Sequence, residues 1–240
     1  MKKVTLLILI ALIIYLNRTY ARFYDYIGSH LQAYPVLTSY HSENAASKKI
    51  IYVALGDSLT AGVGTNNVIE TYPYLIATKI KNSQNVEVYN LAYPGDQSSQ
   101  LLKNQLPQAL TENPDLVTIL VGINDLHNFI SENQFKKNYQ EVIKELKNKT
   151  HSKIVLINIP YLGSSKTLFF PWNLILDYKT KQFNRVIEDL ANENNLKYID
   201  LYSTKKSFEQ DNSLYSADLF HPSPSGYGFW AEVINANLSY

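Results

Sequence analysis

The sequence contains no cysteine, and its charged residues almost cancel. Among 240 residues there are 22 Lys and Arg against 21 Asp and Glu, a formal net charge of +1. The absence of cysteine excludes a disulfide framework, a thiolate nucleophile and a cysteine-ligated metal. The balanced charge provides no strongly basic face, so we expect no nucleic-acid partner. The length is typical of one α/β domain of ordinary size with a short appendage.

A long apolar run lies near the N-terminus, directly after two lysines. It extends from Val4 to Leu16 with one polar interruption, and Arg18 follows shortly after. As a helix it would be about 20 Å long, shorter than the roughly 30 Å hydrocarbon core of a bilayer. Residues 1–22 therefore predict either a signal peptide, with a weak cleavage site after Ala21, or a short uncleaved anchor, which we favour. Both interpretations place the remainder of the chain in an extracytoplasmic compartment.

Residues 23–48 are interpreted as a juxtamembrane segment and a linker. Four residues there recur at helical spacing: Phe23, Ile27, Leu31 and Tyr34. Aromatic residues beside a membrane segment suit the interfacial zone, yet the same stripe could dock on the protein's own domain. The rest of this segment is polar without a clear period and is typical of a linker. The globular domain is expected at 49–240.

Short apolar runs alternate with stretches of helical spacing across this domain. The runs predict strands at 50–55, 86–91, 116–121, 154–159 and 196–201. The stretches between and after them predict helices at about 71–82, 98–110, 134–149, 175–195 and 224–238. Such alternation is typical of βαβ units, which build a mostly parallel sheet with helices on both faces. The sequence therefore predicts the α/β class.

Four polar, glycine-containing segments follow predicted strands or lie near the end of the chain. They are GDSLTAG at 56–62, AYPGDQSS at 92–99, GINDLH at 122–127 and DLFHPSPSGYG at 218–228. The carboxyl ends of parallel strands meet at one edge of the sheet, and that edge is where open α/β sheets bind ligands. The segments therefore predict an active site assembled at this edge.

These segments supply the groups that a nucleophilic serine requires. Ser58 provides the hydroxyl, His221 the base, and Asp218, three residues earlier, the acid that orients the imidazole. The oxyanion donors would be the backbone N–H groups of Ser58 and Gly95 and the side-chain amide of Asn124. On its own, the first segment is equally compatible with a serine or aspartate that merely caps a helix.

Competing chemistries lack their motifs in this sequence. There is no G-x-S-x-G elbow, no phosphate-binding glycine loop and no H-E-x-x-H. No other histidine groups convincingly with Asp218 and His221, so we expect no metal and no cofactor. His127 is interpreted as a polar loop residue, and Asp57 and Asp125 as residues that fix turn geometry.

The four segments resemble the sequence blocks of the SGNH hydrolases, also called the GDSL esterase/lipase family. GDSLTAG resembles the first block, PGDQS the second, GIND the third and DLFHP the last, over residues from about 50 to 238. The resemblance implies a three-layer α/β/α sandwich with a flavodoxin-like, five-stranded parallel sheet. It also implies the triad of Ser58, Asp218 and His221. Leu219 is a mild departure, because many members carry a small residue there.

An apolar cluster in a predicted loop, together with the adjacent N-terminal membrane segment, indicates the substrate class. Phe169, Phe170 and Trp172 are interpreted as an acyl-binding wall or an interfacial flap, or alternatively as a loop folded onto the core. We predict a serine hydrolase of carboxylic esters or thioesters, acting on small-molecule or lipid esters of the acyl or lysophospholipid type. The alternatives are a carbohydrate O-acetylesterase acting on extracytoplasmic glycans and a membrane-tethered binding protein without turnover.

Overall fold

A six-stranded sheet forms the centre of the computed structural model, which describes residues 2–31, 34, 39–41, 49–81, 85–161 and 167–238. The strands are β1 (Ser39–His41), β2 (Lys49–Gly56), β3 (Asn85–Asn90), β4 (Leu116–Leu120), β5 (Lys153–Ile157) and β6 (Lys197–Ile199). Their order in the sheet is β1-β3-β2-β4-β5-β6. β1 pairs antiparallel with β3, and the other five strands are parallel.

Helices flank this sheet. They are α1 (Lys2–His30), α2 (Ser58–Ala61), α3 (Tyr72–Lys81), α4 (Ser98–Gln100), α5 (Leu106–Glu112), α6 (Ile123–His127), α7 (Glu132–Lys149), α8 (Trp172–Asn194), α9 (Lys205–Gln210) and α10 (Pro224–Asn237). A π-helical segment, Leu101–Gln105, joins α4 to α5. Three 3₁₀ segments lie at Val68–Glu70, Tyr202–Thr204 and Asn212–Leu214.

The elements follow the hydrophobic pattern of the sequence. All five residues of β4 are buried, as expected for a strand covered on both faces. In α7, Ser131 caps the first turn by accepting the Gln134 N–H. The buried residues of α7 then recur every three or four positions and include Phe135, Tyr139 and Leu146. That spacing places them on one stripe, which faces the core.

The predicted α/β class and the five parallel strands are confirmed. The structure adds β1, which lies inside the segment interpreted as a linker and pairs Tyr40 with Val88 at the edge of the sheet. A three-residue strand is too short to produce a recognisable alternation, which explains why the pattern did not predict it. Helix α1 continues without a break across the predicted boundary between 1–22 and 23–48. That division of the chain stays a prediction.

Helix α1 has two halves with different surroundings. Among the described residues it is the one helix long and apolar enough to cross a membrane, by length and composition. The large apolar side chains between Val4 and Tyr15 are mostly exposed, whereas Phe23 is only 1% exposed. Phe23 stacks on His127, with ring centroids 5.3 Å apart, and meets the edge of Phe220. The apolar stripe of the juxtamembrane segment therefore docks on the protein's own domain.

Candidate active site

Ser58 lies just after the carboxyl end of β2, an interior strand of the sheet, where the chain turns into α2. Gly56 ends the strand, Asp57 caps α2 by accepting the Leu59 N–H at 3.1 Å, and Ser58 is the first residue of that helix. A Cβ atom on Gly56 would collide with the Leu120 carbonyl of β4, so only glycine permits this close packing. The sequence thus presents the Ser58 hydroxyl at a sharp turn above the sheet.

The structure brings the three predicted triad residues into one hydrogen-bonded series. His221 Nε2 lies 2.9 Å from Ser58 Oγ, and His221 Nδ1 lies 2.6 Å from Asp218 Oδ2. All three side chains are buried. Both distances are within hydrogen-bond range, so a proton could pass from the hydroxyl to the imidazole without rearrangement.

The Asp218 carboxylate is surrounded by donors. Its Oδ1 accepts hydrogen bonds from the Ser216 hydroxyl at 2.7 Å and from the backbone N–H groups of Phe220 and His221 at 2.9 Å. Burial raises the pKa of Asp218, but the hydrogen bonds from His221, Ser216 and Phe220 and the charge of His221 outweigh it. The net pKa is therefore below its usual value. The carboxylate stays ionised and holds the proton on His221 Nδ1, which leaves Nε2 to accept from Ser58.

The predicted oxyanion donors lie at the same edge. Gly95 occupies a tight turn with φ +90°, a left-handed conformation that favours glycine. Asn124 lies in α6, and its side-chain amide donates to the Asp96 carbonyl at 3.0 Å. Gly95, Asn124, Ser58 and His221 all line one cavity of about 290 Å³. The structure therefore assembles all the residues that the sequence assigned to the triad and the oxyanion hole.

A buried network that the sequence did not reveal connects the second and third segments. Asp125 accepts hydrogen bonds from the Ser98 backbone N–H at 2.8 Å and from the Ser98 hydroxyl at 2.6 Å. Asn138 of α7 donates to the same hydroxyl at 2.9 Å. These bonds hold the Gly95 turn against Asn124, which matches the interpretation of Asp125 as a residue that fixes loop geometry. The sequence indicated only that Asp125, next to Asn124, fixes a turn; it did not indicate that Ser98 and Asn138 are its partners in the network.

A second network ties the Gly95 turn to the end of β2. The Gln105 side chain accepts the Gly56 N–H at 3.0 Å and donates to the Gly56 carbonyl at 2.7 Å. Its amide also donates to Asp96 at 2.8 Å. Gln105 belongs to the π-helical segment, and nothing in its local pattern distinguishes it from a surface glutamine. Its role arises only from tertiary contacts.

Helix α1 supplies much of the cavity wall, a feature that the sequence analysis did not predict. The wall contains Phe23, Tyr24 and Ile27 of α1, Leu31 and Tyr34 beyond the end of that helix, and Phe220 from the last segment. The signal was present, because the four residues that recur at helical spacing in the juxtamembrane segment all line this cavity. The lining is mostly apolar and aromatic, and Ser58, Asn124 and His221 contribute its polar groups near the catalytic series.

The aromatic cluster after β5 lies elsewhere. None of Phe169, Phe170 and Trp172 is among the residues that line the Ser58 cavity. Instead, Trp172 Nε1 donates to the Leu16 carbonyl at 3.0 Å, and the Phe170 carbonyl accepts from the Tyr15 hydroxyl at 2.9 Å. The cluster therefore packs on α1 and does not line the Ser58 cavity, so its predicted role as an acyl-binding wall is not supported by its position. Phe170 is 64% exposed, which suits the other interpretation, an interfacial flap.

His127 is a buried contact with α1 and not the polar loop residue that the sequence suggested. It ends α6, lines the cavity and has its Nδ1 3.2 Å from the Tyr20 hydroxyl. Tyr20 also donates to the His127 carbonyl at 3.0 Å. Burial lowers the pKa of His127 to about 4, so the imidazole is neutral near neutral pH. The correction follows from the docking of α1, which covers this ring.

Within the described ranges, no three His, Cys, Asp or Glu side chains are grouped so that they could hold a metal ion. A parallel α/β sheet that carries a hydrogen-bonded Ser–His–Asp series at its carboxyl edge has the features of a serine hydrolase. The model of the GDSL-like Lipase/Acylhydrolase family matches residues 54–229. The chain belongs to this family and is an enzyme that hydrolyses ester bonds.

Several known proteins are similar to this chain. It is 26% identical to protein YpmR of Bacillus subtilis over 225 residues, which cover 80% of this chain and 82% of that protein. It is 28% identical to the spore germination lipase LipC of Bacillus licheniformis over 209 residues, covering 77% and 94%. The crystal structure of the lipase/acylhydrolase from Enterococcus faecalis matches with a TM-score of 0.66 and 29% identity, covering 78% and 94%.

Proposed function

We propose that this enzyme is a membrane-anchored serine esterase of acyl esters, of the lysophospholipid type. The observation that carries the proposal is the hydrogen-bonded series of Ser58, His221 and Asp218, of which Ser58 and His221 line a mostly apolar cavity. The enzyme needs no metal ion and no cofactor, because the serine, the imidazole and the amide donors together provide nucleophile, base and oxyanion stabilisation.

The first half of the reaction acylates the serine. Ser58 Oγ attacks the ester carbonyl carbon while His221 Nε2 takes the hydroxyl proton. The negative charge moves to the carbonyl oxygen, where the N–H groups of Ser58 and Gly95 and the amide of Asn124 donate hydrogen bonds to it. The intermediate then expels the alcohol, which takes the proton from His221, and leaves the acyl group on Ser58.

The second half of the reaction releases the acyl group. His221 takes a proton from a water molecule as that water attacks the acyl carbonyl. The same three donors stabilise the second oxyanion, and Ser58 leaves with the proton returned by His221. Asp218 stays ionised throughout, since its role is to orient the imidazole and to stabilise its charged form.

An acyl substrate is favoured over a sugar acetate by the character of the cavity. Its wall consists mainly of apolar and aromatic side chains, and its volume of about 290 Å³ is at the small end of ligand pockets. The LipC and Enterococcus faecalis relatives carry the names lipase and lipase/acylhydrolase, which supports the same substrate class. If acetylated glycans prove to be better substrates than lysophospholipids, the alternative function, a carbohydrate O-acetylesterase, is favoured instead.

The N-terminal helix is proposed to stay attached as an anchor. Thr19 and Phe23 are buried against the domain, and Tyr20 bonds to His127 across the interface. Removal of residues 1–21 as a signal peptide would leave the His127 ring without its Tyr20 partner. With the helix retained, the domain is extracytoplasmic and held at the membrane surface.

The decisive test replaces the nucleophile. Ser58→Ala should lower kcat for p-nitrophenyl esters by about 10⁴-fold or more, and should abolish labelling by a fluorophosphonate probe, because both reactions need the Ser58 oxygen. The matched control is Ser99→Ala, which removes an exposed hydroxyl from the neighbouring segment. Undiminished hydrolysis by the Ser58 variant would refute the assignment. Rates on lysophosphatidylcholine and on acetylated xylan then separate the two substrate classes.

A further inference from the structure

The surroundings of α1 change between Tyr15 and Phe23. Before this stretch lie the exposed apolar side chains from Val4 to Tyr15. After it lie residues that line the Ser58 cavity, beginning with Phe23. Between the two halves stand Arg18 and Arg22, both exposed and one helical turn apart. Exposed cations directly after an apolar helical segment suit the headgroup region of a membrane.

Aromatic side chains of the domain gather at the same level. Trp172 donates to the Leu16 carbonyl, and the exposed Phe170 contributes the carbonyl that accepts from Tyr15. Trp and Tyr side chains favour the boundary between hydrocarbon and water. The domain therefore contacts α1 at the interface and places the loop with Phe169 and Phe170 beside the membrane.

The second half of α1 is held tightly against the domain. Tyr20 donates to the His127 carbonyl, and Tyr26 donates to the Ala217 carbonyl at 3.4 Å. The Phe23 side chain of α1 packs into the domain, with His127 stacked on its ring and the Phe220 ring edge-on to it. These contacts keep the cavity-lining side chains of α1 in fixed positions relative to Ser58.

We infer that α1 is both the membrane anchor and the acyl-binding wall of the enzyme. Phe23, Ile27 and Leu31 contact the acyl chain of a membrane-derived ester whose carbonyl lies at Ser58. At a rise of about 1.5 Å per residue, Phe23 and Ile27 lie about 10 to 17 Å along the helix from Leu16, and Leu31 follows just beyond the end of the helix. The acyl chain of the ester would therefore leave the hydrocarbon core near Leu16 and cross only about the depth of the headgroup region before it enters the cavity. This inference rests on the esterase activity proposed above.

The test measures how kcat/KM depends on acyl-chain length in the full chain, reconstituted in phosphatidylcholine nanodiscs. The substrates are p-nitrophenyl esters from acetate to octanoate. In the wild type, kcat/KM should rise by up to about fourfold for each methylene that the cavity buries. Ile27→Trp fills the cavity and should lower the octanoate-to-acetate ratio by about 30-fold or more. Ile27→Ala removes wall contacts and should lower the same ratio less, which gives an answer if the larger residue prevents folding.

The matched control is Ala21→Trp, which places the same side chain on an exposed position of the same helix. It should leave both rates unchanged. Equal octanoate-to-acetate ratios in the wild type and both Ile27 variants would overturn the acyl-wall inference while leaving the esterase intact. A wild type that hydrolyses none of the esters and is not labelled by fluorophosphonate would overturn the esterase proposal itself. The two failures are therefore distinguishable.

Discussion

At the scale of single residues, two buried aspartates near Ser58 have opposite pKa shifts. Asp218 accepts several hydrogen bonds, and these outweigh burial and lower its pKa. For Asp57, burial is the largest effect, and the charges of Asp125 and Asp96 add to it. Together they exceed the effect of the backbone N–H groups that face it and raise the pKa of Asp57 to about 7. The two pKa values differ mainly because Asp218 accepts more hydrogen bonds than Asp57, and less because of how deeply each carboxyl is buried.

Replacing Asp57 should change how stability depends on pH. Because its folded pKa is raised, the Asp57 contribution to stability is present below pH about 4 and is lost as pH rises toward 7. Asp57→Asn removes the buried charge, so its stability relative to the wild type should be higher at pH 8 than at pH 5. Urea unfolding at both values measures this, with the exposed Asp189→Asn as control. An equal difference at both pH values would contradict the raised pKa.

Replacing Asp218 should separate catalysis from folding. Asp218→Asn keeps an oxygen for the backbone donors but loses the charge that fixes the His221 tautomer, so kcat should fall by about 10⁴-fold. Circular dichroism should show an unchanged fold. The control is Asp211→Asn, whose carboxylate is exposed and caps a 3₁₀ segment away from the cavity. A loss smaller than about tenfold would mean that Asp218 does not orient the base.

At the scale of elements, the contact between α1 and α6 depends on a neutral His127. Its pKa is lowered to about 4 by burial, whereas a histidine in an unfolded chain titrates near 6.5. As pH falls below about 6.5, the unfolded chain therefore binds a proton that the folded chain excludes. Stability is lost across this window until the folded pKa is reached.

A phenylalanine at this position should remove that pH dependence. His127→Phe keeps a ring to stack on Phe23 but cannot be protonated. Between pH 6.5 and pH 5 the free energy of unfolding should therefore fall by about 2 kcal/mol less in this variant than in the wild type. Its stability at pH 8 should be lower by about 1 kcal/mol, because the hydrogen bond between the imidazole and the Tyr20 hydroxyl is absent. Denaturant unfolding across the pH range measures both effects. The matched control is His151→Phe, the same substitution at an exposed position.

At the scale of the whole molecule, anchor and domain should behave as one unit. Since Thr19 and Phe23 are buried against the domain, we expect the protein recovered from the membrane fraction of an expression host to retain residues 1–22 and a mass near 27.4 kDa. Intact mass spectrometry of the extracted protein measures this. A protein that begins at Arg22 would contradict the anchor and would support a cleaved signal peptide.

Local patterns alone predicted the α/β class, the five parallel strands and the residues that the structure brings together around Ser58. Each strand is an apolar run, and parallel strands place their carboxyl ends at one edge whatever the details of packing. For this reason Ser58, Gly95, Asn124 and His221 could be assigned to one site although up to 163 residues separate their positions in the chain.

Only the tertiary structure decided which apolar surface lines the Ser58 cavity. The stripe from Phe23 to Tyr34 had an apolar period but no indication of its partner, because the period of a helix specifies a face and not what covers it. Its partners, His127 and Phe220, lie more than one hundred residues away in the chain, and no local pattern links them to Phe23. The same reason explains why Phe169, Phe170 and Trp172 could be recognised as an apolar cluster while their contact with α1 could not. Composition determined that an apolar surface exists, and long-range packing determined that α1 provides it at Ser58.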